Sequence, residues 1–119
     1  DRRMGDRRRR QMGVRGSTNV VGKGGGIQMV VNGYGWDERD RPPTSDDLLA
    51  ANEDWYRHTI EQFGPDRCMF ESNFPVDKLS CSYTVLWNQF KKLTVGYSAD
   101  ERAAMFHDTA QRVYRLPMV

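Results

Sequence analysis

The chain has 119 residues, 38% hydrophobic and 29% charged, with a net charge of +2. That length allows one modest domain, and the composition is more polar than a typical globular domain, as suits a piece cut from a larger core. No apolar run approaches the ~20 residues needed to span a bilayer, no signal-peptide pattern opens the sequence, and Cys68 and Cys81 lack CxxC spacing, so free thiols in a reduced, cytoplasmic setting are expected.

Residues 1–16 carry seven Arg and two Asp, a net of +5, which leaves −3 for the rest. This basic start reads as a ragged helix end with a solvated face. An arm for nucleic acid or an acidic membrane is disfavoured, because Arg8, Arg9 and Arg10 have no aromatic residue interleaved for base stacking. Residues 17–119 read as one unit. Asn19-Val20-Val21-Gly22-Lys23 predicts a buried strand, ended by Gly24, Gly25 and Gly26. From Ile27 to Thr44 the turn signals Asn32-Gly33, Gly35 and Pro42-Pro43 predict a long loop holding Tyr34 and Trp36.

Thr44 with Asp47 resembles a capping box and opens a helix to about Phe63, with Leu48, Trp55, Tyr56, Thr59 and Phe63 near one face. Gly64-Pro65 stops it. A second strand is predicted over Arg67–Glu71, closed by Phe74-Pro75. A helix over Tyr83–Leu93 follows, with Leu86, Phe90 and Leu93 inward. Ser98 and Glu101 then cap a last helix to about Tyr114, with Ala103, Phe106, Ala110 and Val113 inward. The alternation argues α/β with parallel strands, and two strands alone bury too little to make a sheet domain.

Several chemistries fail on spacing. Gly22-Lys23 is followed by Gly24, so it is no phosphate-binding loop, and no G-x-G-x-x-G is present. His58 and His107 stand far apart without HxH or HxxxH partners, so neither reads as a metal ligand. No serine sits in a nucleophile elbow.

One block is specific: Phe63-Gly64-Pro65-Asp66-Arg67-Cys68-Met69-Phe70-Glu71-Ser72-Asn73-Phe74-Pro75. It resembles the strand-eight signature of the amidohydrolase-2 family of metal-dependent hydrolases. Asn19–Lys23 is similar to that family's seventh strand. Thr109-Ala110-Gln111-Arg112-Val113-Tyr114-Arg115-Leu116 resembles its closing helix, with Thr109 in place of Asn. The resemblance implies the C-terminal part of a (β/α)₈ TIM barrel, strands seven and eight with their helices. It also implies metal-assisted hydrolysis of a small carboxylate, lactone or amide. The family's metal-binding His residues come from strands one, five and six, which would lie upstream. No cofactor is therefore expected in this chain, and a divalent metal such as zinc belongs to the full-length parent.

The family usually places a metal-ligating, proton-accepting Asp where Asn73 stands, and Gly where Glu71 stands. Asn cannot take a proton from water. Strand alternation would put Met69, Glu71 and Asn73 toward the barrel mouth, and Cys68, Phe70 and Ser72 toward the helices. Glu71 and Asn73 are therefore the candidate catalytic residues. A structural Glu71 paired with Arg or Lys is the competing reading. Lys23, Trp36 and Tyr34 are candidates for holding a small-molecule substrate, and Asp77 and Lys78 for the rim. Self-association into a homo-oligomer is left open. The alternative to a hydrolase fragment is a non-catalytic relic or interaction piece with a basic N-terminal arm.

Overall fold

A computed structural model describes residues 19–118, so the expected helix end at residues 1–16 lies outside the described residues. Two three-residue strands, β1 (Gly22–Gly24) and β2 (Cys68–Phe70), pair in parallel, with Gly22 opposite Cys68, Lys23 opposite Met69 and Gly24 opposite Phe70. A parallel pair needs a long crossover. The 19-residue helix α1 (Ser45–Phe63) supplies it. Helix α2 (Tyr83–Leu93) packs on α1. The chain then runs through α3 (Ala99–Ala103), a π-turn at Ala104–Asp108 and α4 (Thr109–Tyr114). This is a mixed helix and strand fold, as the alternation predicts. Among the described residues no helix is long and apolar enough to cross a membrane.

Local chemistry sets the helix ends. Thr44 Oγ1 accepts from the Asp47 N–H at 3.1 Å, and Asp47 Oδ2 accepts from the Thr44 N–H at 2.9 Å. Those bonds hold the Asp47 carboxyl below its ordinary range. Gly64, at φ 86, ends α1 where a side chain would be strained. Ser98 and Glu101 build the same reciprocal cap, and Ser82 caps α2 by accepting from the Val85 N–H.

Three expectations need correction. The first strand begins at Gly22 rather than Asn19, because ladder pairing starts only there, and Val20 is 40% exposed. Helix α1 buries Leu48, Asn52, Tyr56 and Ile60. At about 100° per residue this every-fourth row drifts around the helix and leaves Trp55 outside it, 64% exposed. The last helix is interrupted by the π-turn, whose extra residue shifts the phase. Met105 and Thr109 are buried, while Ala103 and Val113 are exposed.

The core lies between the strand pair and the helices. Leu48, Tyr56, Ile60, Cys68, Leu86, Phe90, Leu93 and Met105 form one buried cluster, with Phe70 packed against it. Gln89 Nε2 donates to the Leu48 carbonyl at 3.2 Å and ties α2 to α1. Cys68 and Cys81 are free and buried. Burial pushes each thiol from 9.0 up to about 11. The folded state thus keeps protons that the unfolded chain releases from about pH 9. Stability should therefore be intact below pH 9 and fall as pH rises toward 11. A urea midpoint clearly lower at pH 10.5 than at pH 8.5 is the expected result, with both thiols slow to alkylate until the chain unfolds. An unchanged midpoint and rapid native alkylation would show that the thiols are not held this way.

Candidate active site

The strand pair delivers its polar groups at the C-terminal end of β2. The Glu71 N–H donates to the Gly24 carbonyl at 2.9 Å, which continues the ladder one residue past the strand. Glu71 Oε2 then meets Lys23 Nζ at 2.8 Å, with side chains 34% and 47% exposed. The hydrogen bond to Glu71, and a second contact with Tyr114, hold the Lys23 ammonium above its ordinary range. This close approach depends on Gly25. A Cβ there would overlap Glu71 Cγ and come within 2.6 Å of the Glu71 carbonyl oxygen.

Alternation holds through this point. Cys68 lies in the helix-side cluster and Phe70 packs on it, whereas Met69 is buried outside that cluster. At Asn73 the argument from strand parity ends. Its φ of 54 is left-handed, so a turn rather than a strand aims it. The turn continues through a cis Phe74-Pro75 peptide bond. Asn73 Nδ2 donates to Asp77 Oδ1 at 2.8 Å, and the Asp77 N–H donates to the Asn73 carbonyl at 3.0 Å.

Asp77, expected at the rim, is fully buried, whereas Lys78 is exposed. Burial pushes the Asp77 carboxyl up, and the Asn73 hydrogen bond opposes that. The i, i+4 spacing of Asn73 and Asp77 across a proline turn was the available signal for this pair. Nothing in the sequence marks Gly25 apart from its two glycine neighbours.

Tyr34 and Trp36 stack on each other with centroids 5.9 Å apart, and the Arg39 guanidinium lies 4.1 Å from the Trp36 ring. Trp36 is 5% exposed and belongs to the core cluster, while Tyr34 is half-buried. Tyr34 lines a surface hollow with Trp55 and His58, and Trp36 lines another with Asp37 and Lys78. Neither hollow includes Lys23, Glu71 or Asn73. The structure thus brings Lys23 to Glu71 and Asn73 to Asp77, with the two aromatics in separate hollows. His58 and His107 are both at the surface.

The amidohydrolase profile matches residues 12–116. The chain belongs to the amidohydrolase family. It is 44% identical over 98 residues to the uncharacterized protein y4mH of Sinorhizobium fredii (strain NBRC 101917 / NGR234), a match covering 82% of this chain and 29% of that protein. It is 39% identical over 59 residues to the L-fucono-1,5-lactonase of Burkholderia multivorans (strain ATCC 17616 / 249), covering 49% of this chain and 20% of the lactonase. The matched stretches thus span less than a third of these curated relatives. No solved structure gives a significant match.

Members of this family generally hold a divalent metal. Among the described residues no three His, Cys, Asp or Glu side chains converge as a metal site. Glu71 is committed to Lys23, and Asp77 is buried against the Asn73 amide. What remains is one neutral amide oxygen, which does not by itself fit a divalent ion.

Proposed function

We propose that this chain is the closing part of a (β/α)₈-barrel hydrolase, strands seven and eight with their helices, acting on a small carboxylate, lactone or amide. The observation that carries the reading is the parallel strand pair with Lys23, Glu71 and Asn73 all at or just past its C-terminal end. Barrels of this class do their chemistry at that end. The lactonase relative supports a carbonyl ester as the bond attacked.

Each residue has a role that its chemistry allows. Glu71 is the general acid–base group, moving a proton to or from the attacking water or the leaving oxygen. Lys23 holds the Glu71 carboxylate in place and offers its cation to an anionic substrate group. Asn73 accepts and donates hydrogen bonds but moves no proton. Tyr34, half-buried against the Trp36 ring, is the aromatic candidate for substrate contact on the β1 side, whereas Trp36 supports it from the core. Metal assistance, expected from the family, would come from His residues on those strands.

The test uses the full-length protein against paired lactones and amides that carry or lack a free carboxylate. Hydrolysis of the carboxylate-bearing compounds, with a KM about tenfold or more below that of the neutral partners, is expected; tenfold corresponds to roughly 1.4 kcal/mol of binding. Absence of hydrolysis across the panel would leave a non-catalytic relic or interaction piece.

A further inference from the structure

Position 73 carries an amide where a carboxylate is common in this family, and a buried carboxylate stands four residues on. Asn73 is half-buried and left-handed, and its Nδ2 lies 2.8 Å from Asp77 Oδ1. The Asp77 side chain is fully buried, and its Oδ2 has no partner among the described residues. An ionised carboxylate only accepts hydrogen bonds. Facing an ionised Asp77, the amide turns its NH₂ toward the carboxylate and its oxygen away, the arrangement in which Nδ2 meets Oδ1. Among the described residues that oxygen, Asn73 Oδ1, accepts no hydrogen bond.

A second tie fixes the backbone, since the Asp77 N–H bonds to the Asn73 carbonyl. Opposite the amide is Gly26, at φ 77, where a Cβ would sit 3.7 Å from Asn73 Nδ2. Side chain and main chain of residue 73 are both anchored on residue 77, and among the described residues the amide oxygen has no hydrogen-bond partner.

We propose that Asp77 is a positioning residue: it locks the Asn73 amide in one orientation, so that Asn73 presents an acceptor oxygen to the bound substrate. The use of that oxygen rests on the hydrolase reading above; the lock itself does not. Amide and carboxylate then form a matched donor–acceptor pair, in which exchanging the two residues keeps the bond, an amide at both positions still offers donor and acceptor, and a carboxylate at both breaks it. Asp at position 73 facing Asp77 would put two carboxylates in contact, which cannot both ionise without cost.

The experiment is a swap in the full-length protein. Asn73→Asp alone should lower the thermal midpoint by several degrees. The double variant Asn73→Asp/Asp77→Asn should recover most of that loss, because donor and acceptor have traded places. In turnover, Asp77→Ala should lower kcat/KM about 10–100-fold, the usual worth of a group that orients a site residue. Asp77→Asn keeps an acceptor oxygen in the same place and should stay within a few-fold of wild type. Recovery by the swap with rescue by Asn supports the lock. A double variant that melts as low as Asn73→Asp, or an Asp77→Asn variant as impaired as Asp77→Ala, overturns it. A recovered midpoint in a protein that hydrolyses nothing supports the lock and rejects the hydrolase reading.

Discussion

Phe90→Ala should destabilise the folded protein by about 3–5 kcal/mol, the usual cost of truncating a buried Phe. Phe90 is fully buried. Its ring stacks on Phe70 at 4.4 Å and 15°, and meets Tyr56 edge-on at 5.4 Å and Trp87 edge-on at 5.3 Å. It is thus a contact at which α2, α1 and β2 all meet. Removing it opens a cavity bounded on three sides by aromatic rings that cannot collapse inward without losing their own packing. The matched control is Trp55→Ala. That Trp is as large but 64% exposed, so its loss should stay within about 0.5 kcal/mol. Urea unfolding of both variants checks the pair, and equal losses would show that Phe90 does not organise the core.

Much of this fold was legible because its punctuation is local. Thr44 with Asp47, Gly64-Pro65 and Ser98 with Glu101 act within a few residues, and each helix end they mark is where the structure has it. The faces were less legible, because burial is decided by what packs on a helix. Asn52 is a polar residue in the middle of the buried row of α1, and Trp55 an aromatic one outside it. The π-turn at Ala104–Asp108 has no marker in the sequence and moves the buried face from Val113 to Thr109. The first strand starts later than Val20-Val21 suggest, because β-branched residues signal strand propensity but only the partner, here Cys68, sets where pairing begins.

At the site, the residue types were readable and their partnerships were not. Lys23 and Glu71 are 48 positions apart in the sequence, and only the ladder register brings them to 2.8 Å. Strand alternation reaches Glu71 but not Asn73, whose left-handed backbone turns the chain. Asp77 looked like a rim residue because acidic side chains after a strand are usually solvated; its burial is a tertiary fact.

Glu71→Gln in the full-length protein separates a Glu71 that does chemistry from one that only pairs with Lys23. Gln keeps the shape and a hydrogen-bond acceptor for Lys23 Nζ but cannot exchange a proton with substrate or water. The pair is half-exposed, so losing its charge should move the thermal midpoint little. A general acid–base group contributes about 10²–10⁴-fold. Turnover and thermal midpoint should be measured on one sample, so that any unfolded fraction is counted. The expected result is a kcat down by about 10²–10⁴-fold with the midpoint nearly unchanged. A kcat equal to wild type in the folded fraction would contradict it and leave Glu71 as the ion-pair partner of Lys23.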